Sequence, residues 1–318
     1  MSSGFEGYKQ QLTAKARAAG IREATIGNVI PYLTLDGTVM RLDRAQPGNI
    51  GNPNATPPFS PYRRRHVTSD LIRRGQANYS AMWPYLSRIE QRYGVPASIM
   101  VGIWGKETSY GRVKGNFDVL RSLATLAYEG RRRPMFEAEF IAAMRLIDQG
   151  VSRSRLRGSW AGAMGHPQFM PTNVLSLRVD GDGDGDRDIW GSQLDGLASI
   201  GNYLRTKGWK PGMLWGVPVR VPSGFNRAAV RPLTTAKECP RVHARHSRPL
   251  TMREWRAMGV APLGRSLRDD DRATLFEADG PGETAYLVTD NYRVILDYNC
   301  SNFYALSVAL LADGIIGR

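Results

Sequence analysis

Between Val95 and Gly105 the chain runs VPASIMVGIWG without a charged side chain, and two residues later it places an acid, Glu107. Pro96 suits the first turn of a helix. From there Ile99, Ile103 and Glu107 recur at i, i+4 and i+8, with Met100 and Trp104 beside them. This spacing predicts a helix whose apolar stripe carries the carboxylate on the same face. A glutamate there is costly unless paired or protonated. Desolvation favours the neutral acid, the form a general acid needs near neutral pH. The competing reading is a glutamate at a helix end that curls out to water. The following KETSYGR ends the helix with small and aromatic groups, a groove wall beside the acid.

Other helices follow from apolar spacing: Phe5 to Ala19 stopped by Gly20, Leu71 to Tyr93 stopped by Gly94, Ala138 to Gln149, Leu194 to Lys207 stopped by Gly208, and Phe303 to Ala312. PGNIGNPNATPPFSP, from Pro47 to Pro61, holds too many Pro, Gly and Asn for a regular element and reads as a loop on a surface or lining a groove. Between Trp215 and Val294 the character changes. The runs WGVPVRVP, ETAYLVT and YRVILDY, separated by turns, read as a small antiparallel β unit. The expected fold is therefore mainly α (α+β). No apolar run is long enough to span a bilayer. The N-terminal stretch has no apolar signal core and reads as an amphipathic helix, which leaves a cytoplasmic protein and one with its export signal removed both open.

The formal net charge of +14 favours polyanionic partners: nucleic acid, an anionic membrane face or a cell-wall polymer bearing peptide carboxylates. The basic residues are scattered and no nucleic-acid motif is present, so nucleic acid is not expected. The two cysteines, Cys239 and Cys300, form no metal pattern; one disulfide or two thiols are both open.

Downstream, GSWAGAMGHPQFMPTNV (Gly158 to Val174) mixes Gly and Ala, which let a ligand approach the backbone, with neutral hydrogen-bonding groups on Ser159, Gln168 and Asn173 and flat apolar groups on Trp160, Phe169 and Met170. That mixture suits a sugar, which offers hydroxyls and apolar ring faces. The run DGDGDGDRD starting at Asp180 places carboxylates at alternate positions. Asp180, Asp182 and Asp184 followed by Gly185 match the first half of an EF-hand loop, but its twelfth position is Gly191 rather than Glu. A structural calcium site and a solvated acidic turn are the two readings.

Six segments, YGVPASIMVGIWGKETSYGR, LATLAYEGRRRPMFEAEF, GSWAGAMGHPQFMPTN, DGDGDGDRDIW, SIGNYL and YNCSNFYALSVALL, resemble in order and spacing the membrane-bound lytic murein transglycosylase B family, and the first resembles the wider lysozyme-like superfamily. The resemblance implies a lysozyme-like helical core at 94–213, a helical domain at 1–93 joined by the C-terminal helix 303–318, and a small β-rich domain at 214–302. It implies non-hydrolytic scission of the β-1,4 bond between N-acetylmuramic acid and N-acetylglucosamine, leaving a 1,6-anhydromuramoyl end, with Glu107 as acid and then base. Hydrolysis in the same groove and non-catalytic wall binding are the alternatives. Glycosidases of the usual kind need two carboxylates; Asp118 and Glu129 are the candidates nearest Glu107, and neither lies in a segment the family marks as catalytic.

The resemblance also places Ser159, Gln168, Tyr203 and Asn299 in the sugar groove, Phe169, Tyr62 and Tyr304 as aromatic walls, and Arg131 and Arg132 against the anionic peptide stem. His166-Pro167 departs from the family's usual short residue or Tyr-Gly. The metal set would be Asp180, Asp182, Asp184 and Asp186 closed by Asp195. No cofactor is expected for catalysis. The expected setting is a monomer acting on peptidoglycan glycan strands in the periplasm or on the periplasmic side of the outer membrane, with soluble, peripheral and lipid-anchored forms all open.

Overall fold

The computed structural model describes residues 2–46 and 57–318, except the side chains of Ser2 and Ser3. Most of the segment expected as a Pro- and Gly-rich loop, 47–56, lies outside the described residues. In chain order the helices are α1 (Ser2–Ala18), α2 (Glu23–Val29), α3 (Gly37–Arg44), α4 (Ser60–His66), α5 (Ser69–Tyr93), α6 (Ala97–Thr108), α7 (Val119–Glu129), α8 (Arg133–Asp148), α9 (Pro171–Leu177), α10 (Gln193–Thr206), α11 (Pro240–His243), α12 (Met252–Ala257), α13 (Asp290–Tyr298) and α14 (Asn302–Ile315). The strands are β1 (Phe117–Asp118), β2 (Arg157–Gly158), β3 (Gly216–Arg220), β4 (Leu250–Thr251), β5 (Ala261–Pro262), β6 (Arg272–Phe276) and β7 (Ala285–Val288). The architecture is mainly α with a small sheet, as the sequence predicts. No single described helix is long and apolar enough to cross a membrane.

The chain divides into two compact units, 1–52 with 107–200 and 53–106 with 201–318. In the first, α7 packs on α8 and α3, and α8 on α9. Leu123, Phe140 and Met144 are fully buried there. Two buried glutamates of α8 are partnered, as buried charge requires. Glu137 accepts from the Tyr8 hydroxyl at 2.9 Å and from Lys15. Glu139 accepts from the Thr172 amide at 2.9 Å and hydroxyl at 2.7 Å, capping the start of α9. Burial and the Glu137 bond both push the Tyr8 hydroxyl pKa up.

In the second unit, five antiparallel strands run in the order β4-β6-β7-β3-β5. Val217, Val219, Leu275 and Leu287 project from the sheet into a core shared with Met252 and Trp255 of α12. WGVPVRVP and ETAYLVT thus supply β3 and β7. YRVILDY does not form a strand: it is α13. Thr289 caps that helix by accepting from the Asn291 amide at 3.2 Å, and Tyr292, Ile295 and Leu296 are buried at helical spacing. The β-branched residues are outvoted by the cap and by tertiary burial. Elsewhere in the unit α14 packs on α5, α13 and α4. A Cβ at Gly102 of α6 would stand 3.1 Å from the Val308 carbonyl of α14, so glycine permits that close approach. Cys239 and Cys300 form a disulfide joining the residue before α11 to the α13–α14 link.

Candidate active site

Helix α6 is buried on every side rather than along one stripe: Val101, Ile103 and Trp104 have no exposed surface. Its i, i+4 spacing therefore marks no single face, and the acid is located by the helix end instead. Glu107 is the penultimate residue and is partly buried. Thr108 behind it is 1% exposed, and its hydroxyl accepts from the Gly111 amide at 2.9 Å. Ser109, Tyr110 and Gly111 then adopt φ of 52°, 62° and 82°. Two successive non-glycine residues in the left-handed region cost about 1–2 kcal/mol each. This turn stops the helix directly after the acid, and such cost concentrates at functional sites.

The loop after β2 is built on glycine. β1 pairs antiparallel with β2, Phe117 opposite Gly158. A Cβ on Gly158 would meet the Ala163 carbonyl at 2.1 Å. This lets the loop fold on itself: Ser159 donates its amide to Ala163 O at 2.8 Å, and its hydroxyl accepts from the Ala163 amide at 3.0 Å. The Ser159 O–H is thereby oriented with its proton left to donate. Gln168 holds φ of 51°, and its side-chain amide donates to Lys114 O at 3.1 Å and Gly165 O at 2.9 Å. Both bonds use its NH2, so its carbonyl oxygen stays an acceptor. Phe169 is 1% exposed and its backbone exchanges bonds with Met164, so its ring is interior rather than an open wall. His166 is buried beside it, and desolvation, then Lys114, lowers its pKa to about 4.

The carboxylates weighed as partners for Glu107 are engaged elsewhere. Asp118 accepts from the Arg121 amide at 3.2 Å, capping α7, and lies 3.3 Å from Arg153. Glu129 lies 2.6 Å from Arg44. Arg131 and Arg132 both turn to the buried Asp43, at 2.8 and 3.7 Å. The arginines expected to face a peptide stem are thus brought together by Asp43, a residue whose role sequence order did not signal.

Asp180, Asp182 and Asp184 offer oxygens all within 4.8 Å of one another, a donor set suited to a hard cation. Asp186 instead lies 3.2 Å from Arg155. Asp195 is 1% exposed, and its two oxygens accept from the Gly181 amide at 2.7 Å and the Asp188 amide at 2.6 Å. It anchors the loop from beneath, while desolvation raises its pKa.

In the second unit, Tyr203, Tyr298 and Tyr304 form a column, with ring centroids 4.8 Å apart for Tyr203–Tyr298 and 6.5 Å for the parallel Tyr298–Tyr304 pair. Tyr203 donates its hydroxyl to Asp297 O at 2.6 Å, and burial raises its pKa. Asn299, at the end of α13, is exposed. Tyr62 stacks on His66 at 3.9 Å and accepts from Lys106 at 3.0 Å. Desolvation, then Lys106, lowers the His66 pKa. Tyr298 and Lys106 were missed by sequence reading. Each had a signal: one adjoins Asn299, the other adjoins Glu107.

The chain is 30% identical over 292 residues to the membrane-bound lytic murein transglycosylase B of Escherichia coli (strain K12), covering 88% of this chain and 74% of that protein. It superposes with a TM-score of 0.86 and 38% identity on SltB3 from Pseudomonas aeruginosa in complex with NAG-anhNAM-pentapeptide, covering 98% of this chain and 80% of that one. The Escherichia coli lytic transglycosylase Slt35 in complex with calcium matches with a TM-score of 0.77 and 28% identity, covering 97% and 92%. The family model described as the transglycosylase SLT domain matches residues 4–313, and the chain belongs to that family.

Proposed function

We propose that this chain is a lytic transglycosylase that cleaves the β-1,4 bond between N-acetylmuramic acid and N-acetylglucosamine in peptidoglycan without consuming water. The observation that carries this reading is the place of one acid, next to last in the buried helix α6 and just ahead of the left-handed turn Ser109-Tyr110-Gly111. Glu107 ends a buried helix, while Asp118 and Glu129 are held by arginines. Neither of these two carboxylates is then left to serve as a second enzymic group, so the substrate supplies the nucleophile.

Glu107 gives its proton to the glycosidic oxygen as the C1–O bond breaks. The acetamido carbonyl stabilises the cationic C1. The Glu107 carboxylate next removes the proton of the muramoyl 6-hydroxyl, whose oxygen bonds to C1 and closes the 1,6-anhydro ring. One group serves as acid and then base. We assign Ser159 as a donor and Gln168 as an acceptor to the sugar, and Tyr62, Tyr203, Asn299 and Tyr304 as sugar-binding groups of the second unit, with Tyr298 completing their column. Phe169 supports the loop from within. Arg131 and Arg132 remain assigned to the stem carboxylates, with Asp43 fixing their direction.

Asp180, Asp182 and Asp184 are assigned to a structural calcium, which would neutralise their mutual repulsion. Chelation should then lower the melting temperature and leave the chemistry of the product unchanged. The disulfide fits an oxidising compartment, which supports action in the periplasm.

Mass spectrometry of digested cell wall tests the reaction: anhydro ends are expected, whereas reducing ends would assign hydrolysis. Glu107→Gln should lose cleavage while keeping binding, and an active variant would refute the acid.

A further inference from the structure

A cavity of about 1080 Å³ lies within the second unit, beside the sheet. It lies just above the range of about 300–1,000 Å³ usual for ligand clefts. Its wall carries Arg231, Arg248, Arg272 and Arg293, opposed by only Glu254 and Asp290. Both acids are occupied. Glu254 accepts from the Thr251 amide at 2.7 Å and hydroxyl at 2.8 Å as a helix cap, and Asp290 pairs with Lys210. Arg293 is paired with Asp297 at 3.3 Å. Among the described residues Arg231, Arg248 and Arg272 make no salt bridge, and the Arg248 Nε is a buried donor without a hydrogen-bond partner. A buried donor left without a partner is costly unless a ligand satisfies it.

Beside the arginines the wall turns apolar, with Pro232 and with Leu233, 81% exposed. Thr234 and Thr235 add hydroxyls. An inorganic anion would fill a small part of this space and leave the apolar rim unused. A short peptide with several carboxylates between small side chains matches length, charge and rim together.

We propose that this cavity is an accessory site for a carboxylate-bearing peptide, namely the peptide stem of the wall polymer; this rests on the proposed peptidoglycan substrate. Arg231 and Arg248 grip its carboxylates, and Pro232 and Leu233 cover its small side chains. Guanidinium forks suit carboxylates better than point charges do.

The test is calorimetric titration of the full chain with free stem peptide, built of alanine, glutamate and diaminopimelate, which contains no glycosidic bond to cleave. Saturable binding is expected. It should weaken at least tenfold in the Arg231→Gln/Arg248→Gln variant and in Thr235→Glu, which places an acid on an exposed part of the wall. Cleavage of peptide-free glycan should persist in the cavity variants. No binding by the unaltered chain, or unchanged binding in Thr235→Glu, overturns the proposal. Displacement of the peptide by an equal concentration of inorganic phosphate would reassign the arginines to phosphate and also overturn it. Failure of the substrate reading shows separately, as loss of cleavage of peptide-free glycan by the unaltered chain.

Discussion

The side-chain amide of Gln168 donates to the Lys114 carbonyl at 3.1 Å, and the Lys114 ammonium donates in turn to Trp190 O at 2.6 Å. One lysine therefore ties the glycine-rich loop to the segment that follows the acidic run. The expected consequence is that the Gln168 carbonyl oxygen acts on substrate while Lys114 O and Gly165 O hold its side-chain NH2.

Gln168→Gly separates these roles. Glycine relieves a left-handed φ, worth about 1 kcal/mol, while two side-chain hydrogen bonds are lost at about 1 kcal/mol each. The unfolding free energy from denaturant titration should fall little, by roughly 1 kcal/mol at most. Turnover of glycan strands should nevertheless fall by at least about tenfold, the equivalent of ~1.4 kcal/mol of transition-state binding. A variant with full activity would remove Gln168 from the sugar site.

Asp118→Asn tests the single-acid mechanism from the other side. Asn still caps a helix N-terminus about as well as Asp, and the half-exposed Arg153 pair contributes less than about 1 kcal/mol. Activity should stay within a few-fold of the parent. If turnover collapses while the fold is intact by circular dichroism, a second carboxylate takes part and the non-hydrolytic route loses its argument.

What the sequence disclosed, and what it concealed, divides by range. α5 and α10 were legible because apolar spacing and a terminal glycine are local signals, and the Gly94 stop is an αL cap. α13 was misread because its β-branched residues carry the local signal while its cap and burial decide the outcome. The acid was legible as a residue, but its setting was not. The helix is buried all round, so periodicity marked no face. Asp43 behind Arg131, and Arg44 on Glu129, join residues more than eighty positions apart. No pattern in one sequence reports such pairs.

Stability should fall with acidification for a reason seated in His246. Its ring is buried, with Nδ1 3.1 Å from the Thr274 hydroxyl and Nε2 2.8 Å from Asn302 Oδ1. Desolvation lowers its pKa to about 4 from 6.5. The unfolded chain binds this proton first, so the contribution is full above about pH 6.5 and is lost progressively down to about pH 4. It amounts to about 3 kcal/mol. Urea titrations at successive pH values should show the loss, and His246→Gln should flatten it over that window.

The Cys239–Cys300 bridge closes a segment with a sequence separation of 61. In the loop-entropy model a cross-link of that span restricts the unfolded chain by about 4 kcal/mol. It ties the α11 edge of the arginine-lined cavity to the start of α14. Reduction, or Cys300→Ser, should lower the denaturant midpoint with most of that loss falling on the second unit, visible as faster amide exchange in β6 and β7. Glu107, which belongs to the first unit, should keep its chemistry: the products released by the reduced protein at low temperature should still carry anhydro ends. Were exchange to accelerate equally in α7 and α8, the two units would unfold as one, and the bridge would be stabilising the whole chain.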